Sequence, residues 1–172
     1  MKRLIILTGF IIFGYTMANA QDKSNDTTAR YFLIQASIGN LQETAIGKLA
    51  TQKAVDPRIK DFAAKMVTDH TNAQMQLMQL IKSRGIQLPH EATDAPPEDI
   101  MLKSKEGKDF DREYVHMMVP DHRQTVHLFE DYALTGKDPA VKAFAQQALP
   151  ILKAHLSAIV AIDDSMKDAV AK

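Results

Sequence analysis

Glu43, His70, His122 and His155 each fall near the middle of a separate helix-length segment, on the apolar side of that segment. One carboxylate and three imidazoles brought to a single level of a helical bundle form a ligand set of borderline softness, suited to a transition metal ion such as zinc, iron or copper. The helical period supports the placement. Spacings of three, four and seven put His70 beside Met66, Val67, Ala73 and Leu77, and His122 beside Val115, Met118, Val119 and Phe129. They put His155 beside Ile151, Leu152, Ala158, Ile159 and Ile162, and Glu43 beside Phe32, Ala36, Gly39 and Ile46.

The competing reading is a buried hydrogen-bond network. A single histidine on an apolar face is ordinarily a core residue satisfied by one or two hydrogen bonds. An ionised carboxylate there must be paired, and one histidinium would suffice for Glu43. Three histidines exceed that need, which favours metal. Asp69 and Asp121 each precede one of the histidines and point about 100° around the helix from it. Either could accept a hydrogen bond from a histidine on a neighbouring helix and hold its ring, or simply be solvated. Met66 and Met118, one turn from their histidines, offer thioether sulfur to Cu(I), although methionine is more commonly core filler. His116 and His127 share a different stripe with Glu113, Arg123 and Asp131, and His90 lies in a connection; none of the three is assigned a role.

Four amphipathic helices are expected to carry these residues, near 29–55, 57–84, 109–136 and 139–168. A repeat of the form D-P-x-[I/V]-K-x-F-A begins at Asp56 and again at Asp138. In each copy the aspartate is an N-cap and the proline occupies the first helical position, so a new helix starts where another has just ended. Gly136 marks the end preceding the second copy. Glu43 and His70 are equidistant from the first hinge, as His122 and His155 are from the second, so the partners face each other across two hairpins. Met66-Val67-Thr68-Asp69-His70 is echoed by Met118-Val119-Pro120-Asp121-His122. The hairpins are joined by Gly85 to Lys108, a stretch with three prolines and a short helix expected around Glu98 to Lys105. A crossover of that length lets the second and third long helices run parallel, giving an all-α, ferritin-like four-helix bundle; an up-down-up-down bundle is the alternative. Pro120 and Pro150 fall inside helices and permit kinks.

The N-terminus has a different character. A basic Met1-Lys2-Arg3, an apolar run from Leu4 to Tyr15 and a small-x-small Ala18-Asn19-Ala20 form a secretory signal peptide over 1–20. The run is shorter than the roughly 20 residues a membrane-spanning helix needs. Residues 21–28 are expected to be a flexible tether and 29–172 a single bundle domain. No later stretch reads as a membrane span. With 21 basic and 21 acidic residues and no long charge run, nothing points to nucleic acid. The absence of cysteine excludes a disulfide scaffold.

The helix pattern N-L-x-E-x-x-I-G-K-L-A around Glu43, the two hinges, the M-V-x-D-H pair, F-D-x-x-Y at Phe110 to Tyr114 and L-P-x-L-x-x-H-L at Leu149 to Leu156 form a distinctive combination. Together they resemble a bacterial domain-of-unknown-function family of outer-membrane or periplasmic proteins. The resemblance implies a ferritin-like helical fold and export, and it carries no catalytic residues.

Three functions compete. The first is an exported metal-binding bundle, acting in metal handling or envelope stress. The second is a non-catalytic structural or interaction domain of the cell envelope with a polar core. The third is a carboxylate-bridged di-metal oxidase, which is disfavoured because no Glu-x-x-His precedes any of the three histidines. The chain is therefore not assigned as an enzyme. The export reading predicts a mature N-terminus at or near Gln21. Intact-mass analysis of exported protein checks this, and material retaining Leu4 to Tyr15 would contradict it.

Overall fold

The computed structural model describes residues 27–94, 96 and 99–170; the expected signal peptide and most of the tether lie outside them. Four long helices dominate: α1 Thr27–Lys53, α2 Pro57–Lys82, α4 Gly107–Thr135 and α5 Pro139–Val170. The connection between α2 and α4 carries a 3₁₀ turn at His90–Ala92 and the short helix α3 at Ile100–Ser104. Helix α1 starts at Thr27, so it takes in the last two residues of the expected tether.

Both hinges are built as the repeat requires, but unequally. The Asp56 carboxylate accepts from the Arg58 backbone N–H at 2.9 Å, and Asp138 Oδ1 accepts from Ala140 and Val141 N–H at 2.9 and 3.1 Å. At the first hinge, the Asp111 carboxylate of α4 takes the backbone N–H groups of Val55 and Asp56, at 3.1 and 2.8 Å. That explains the F-D-x-x-Y motif: Phe110 and Tyr114 enter the core while Asp111, also buried, ties the α1–α2 hinge to α4. At the second hinge, Asp138 is buried and forms a bidentate pair with Arg84, at 2.6 and 2.7 Å. Gly136 has φ −56°, so it is required for space rather than for a left-handed turn. A Cβ there would lie 2.5 Å from Tyr132.

The ends of the helices fix the topology. Phe32 near the start of α1 stacks on Tyr132 near the end of α4, and Lys53 at the end of α1 pairs with Glu106 just before α4. Arg58 at the start of α2 donates to Ser165 near the end of α5, while Arg84 after α2 meets Asp138 before α5. Each helix is thus antiparallel to both neighbours, in the ring α1–α2–α5–α4, and α2 runs parallel to α4. This is the ferritin-like arrangement. Gly47 lets α1 approach α2 closely, since a Cβ there would meet Val67 at 3.0 Å.

The apolar core has two lobes. One gathers Phe32, Leu77, Ile81, Phe129, Phe144 and Leu152; the other gathers Ile59, Phe62, Met66, Phe110, Tyr114, Met118 and Ile159. The midpoints of the four long helices, and the polar side chains they carry, fall between them. Two expectations need correction. Ile151 and Ala158 face outward rather than joining His155 in the core, which takes Leu152, Ile159 and Ile162 instead. Among the described residues one helix, Pro139–Ala169, is long and apolar enough by length and composition to cross a membrane. Alanine on its outer face raises the apolarity of this segment without interrupting the bundle contacts on its inner face.

The unequal hinges give an ordered stability prediction. Asp56→Ala removes an exposed cap and should cost about 1 kcal/mol. Asp138→Ala also strands buried Arg84, and should cost about 3 kcal/mol or more. Hydrogen bonds from Arg84 hold the Asp138 carboxyl down at about 2, below its ordinary 3.8. A depressed folded value means stability present above pH 4 is lost as pH falls from about 4 towards 2. Denaturant titrations of wild type and Asp138→Ala across that range should converge at the acid end; parallel curves would contradict the assignment.

Candidate metal centre

Glu43 comes from α1, His70 from α2, His122 from α4 and His155 from α5, one from each long helix, and all four are buried. The ring centroids stand 5.4 to 6.2 Å apart, and one nitrogen from each ring lies within 4.8 Å of the other two. Glu43 Oε2 is 2.6 Å from His70 Nε2 and 3.8 Å from His122 Nε2. The shorter distance is that of an ion pair. Glu43 Oε2, His70 Nε2, His122 Nε2 and His155 Nδ1 are all buried, and none of them has a hydrogen-bond partner outside this group of four.

The opposite nitrogen of every ring is tied. His70 Nδ1 donates to Asn40 Oδ1 at 2.9 Å, His122 Nδ1 to the Met118 carbonyl at 2.9 Å, and His155 Nε2 to Asp69 Oδ2 at 2.7 Å. Each acceptor fixes its ring and takes the N–H of the outer nitrogen, which leaves a lone pair on the inner nitrogen of His122 and of His155; the inner nitrogen of His70 stands 2.6 Å from the Glu43 carboxylate, the distance of a proton-bearing pair. The Asn40 contact is itself anchored. Asn40 donates to Gln74, Gln74 to Ser37, and Ser37 to the Ala92 carbonyl of the crossover. Asp69 also takes Lys65 Nζ at 2.7 Å.

The electrostatics agree with this division. Burial alone would raise the Glu43 carboxyl, but His70, with smaller contributions from His122 and His155, outweighs it and leaves the group below its ordinary value. Glu43 is therefore a carboxylate. Burial pushes His155 down to about 4 despite its bond to Asp69, so it is neutral at physiological pH. Burial would raise Asp69 too, but Lys65 and His155 more than offset it. Tyr114 is buried with no hydrogen-bond partner for its hydroxyl. Burial, and then the Glu43 charge, raise it well above the ordinary phenol range, so it stays neutral.

Of the two acids expected to hold a ring, Asp69 does so and Asp121 does not. Asp69 turns from α2 towards α5, which carries His155. Asp121 turns from α4 towards α1, which has no histidine, so it is exposed and bonds to none of the three rings. Met118 contributes its backbone carbonyl, while its side chain, like that of Met66, packs in the second core lobe. His116 and His127 are exposed. Spacing alone had not identified Asn40, Gln74 and Ser37. Asn40 does lie one turn from Glu43, and Gln74 one turn from His70.

The fold and this cluster define an all-α bundle with a buried three-histidine, one-carboxylate centre. The chain belongs to the family described as a domain of unknown function, DUF4142, which it matches over residues 15–162. Among curated proteins none matches the sequence. Several solved structures share the fold. CopM in its Cu(I)-bound form aligns with TM-score 0.68 and 16% identity over 80% of this chain and 96% of its own. A DUF305 protein from Streptomyces coelicolor, described as secreted, aligns with TM-score 0.66 and 14% identity, over 78% of this chain and 89% of its own. A DUF305 fragment from Deinococcus radiodurans aligns with TM-score 0.66 and 10% identity, over 79% and 95%.

The tautomers can be checked without metal. Long-range ¹H–¹⁵N spectra of metal-free protein near pH 7 should show a proton on Nδ1 of His70 and His122 and on Nε2 alone of His155. His155 should resist protonation until about pH 4. The reverse tautomer at His122 or His155 would contradict the inward lone pairs.

Proposed function

We propose that this chain is an exported metal-binding bundle, holding one transition ion through Glu43, His70, His122 and His155. Its role would be metal handling or protection of the cell envelope. The reading rests on one observation: three buried imidazoles bring one nitrogen each within 4.8 Å of the others, with the buried Glu43 carboxylate beside two of them, while the other nitrogen of every ring is bonded outward. Buried polar atoms ordinarily find partners, and three outward-bonded imidazoles with one carboxylate match the way metal-binding histidines are oriented. The set suits Zn²⁺, Fe²⁺ or Cu²⁺. When bound, such an ion would supply Lewis acidity or redox capacity; the protein supplies the fixed donors and an apolar surround. Asp69 and Asn40 hold His155 and His70 in place. The fold shared with Cu(I)-bound CopM and with a DUF305 protein described as secreted supports metal handling and export. Location in the periplasm, in association with the outer membrane, is part of the proposal, as is a domain organisation of signal peptide 1–20, tether 21–28 and bundle 29–172.

A second reading, a structural bundle with a polar core, draws on the 2.6 Å approach of Glu43 to His70. Metal titration separates the two. The metal reading expects one ion per chain, and at a hundredfold excess over Kd a stabilisation of about 2.7 kcal/mol. His70→Ala, His122→Ala and His155→Ala should each weaken binding by about a hundredfold or more. His116→Ala and His127→Ala should not weaken it. No stoichiometric binding, no shift in Tm, and destabilisation from Glu43→Gln would favour the network.

A further inference from the structure

Glu43 differs from the three histidines in one respect. It also lines an open groove of about 770 Å³ on the surface between α1 and α4. The groove is walled by Ile38, Gly39 and Ile46 from α1 and by Pro120 and Asp121 from α4, with Asp131 further along. Glu43 therefore stands at both ends of a short path, lining the groove while its Oε2 is buried beside His70 and His122.

The charges along this path favour cations. Glu43, Asp121 and Asp131 oppose one arginine, Arg123, with the imidazole of His127 also on the wall. A groove lined by an excess of acid concentrates cations and speeds their capture. The walls leave room. A Cβ added at Gly39 would meet nothing within 4 Å, so the helix backbone there borders open space.

We propose that the α1–α4 groove is the route by which a divalent cation reaches the buried centre, with Asp121 as the capturing carboxylate and Glu43 carrying the ion inward. This rests on the metal-binding reading and adds its direction of loading. It gives Asp121 a task, and it explains why the single carboxylate of the set comes from α1.

Gly39 allows a clean test, because a large side chain can be added there without displacing a neighbour. Uptake of Co²⁺ by full-length mature protein would be followed by stopped-flow absorbance of the visible cobalt band, with the final amplitude giving equilibrium binding. Gly39→Trp should slow uptake by about tenfold or more while leaving equilibrium affinity unchanged. Asp121→Asn should also slow it, by up to about tenfold, and flatten its dependence on ionic strength. Asn72→Trp, on the exposed side of α2, should load at the wild-type rate. Wild-type uptake rates in both Gly39→Trp and Asp121→Asn, with binding intact, would overturn the route and leave the centre standing. Loss of equilibrium affinity in Gly39→Trp would show the groove to be part of the site rather than its approach, and would also overturn it. A wild-type protein that gives no cobalt band would remove both the route and the centre.

Discussion

A carboxylate held between two apolar lobes is the constraint on which this molecule turns. Removing Glu43 from water costs several kcal/mol unless opposite charge or strong donors meet it. The fold meets it with three imidazoles, one from every other long helix. That arrangement requires the four helix midpoints to share a level. The two Asp-Pro hinges secure this by making each hairpin symmetric about its turn. The crossover then sets α2 parallel to α4, so that every adjacent pair in the ring is antiparallel.

The rings are oriented by three unrelated devices. His155 leans on a carboxylate, His70 on an amide relay that ends at the crossover, and His122 on the carbonyl one turn back in its own helix. All three turn the other nitrogen towards the interior of the cluster. A network evolved only to satisfy Glu43 needs one N–H on the carboxylate, which His70 at 2.6 Å can supply; the outward-bonded rings of His122 and His155 exceed that need. A centre prepared in this way keeps unsatisfied atoms in the core as long as nothing binds them, a cost commonly borne at functional sites.

Much of this was legible in the sequence because it follows helical period and hinge chemistry. The stripes of Glu43 and the histidines, the paired caps at Asp56 and Asp138, and the long crossover are all local patterns. What was hidden depends on which helix lies next to which. Asp69 and Asp121 occupy equivalent places in a repeated motif, and only the ring order α1–α2–α5–α4 decides that one meets a histidine and the other a groove. Asn40, Gln74 and Ser37 join across α1 and α2 at a register no single helix reveals. Asp111 was visible as part of a motif, but its use in tying down the first hinge was not. On α5 the helical period set Ile151 and Ala158 beside His155, whereas packing leaves both outside the core. Shared fold with CopM and the DUF305 proteins, at 10 to 16% identity, leaves the assignment of function to these particular side chains.

The central claim is that the four inward atoms form one coordination shell. X-ray absorption at the zinc edge, on protein loaded with a single equivalent of Zn²⁺, measures this directly. The account predicts three imidazole nitrogens and one carboxylate oxygen at about 2.0–2.1 Å, with the multiple-scattering pattern of three rings. A shell dominated by water oxygen with a single imidazole, as an exposed histidine such as His116 or His127 would give, would contradict it.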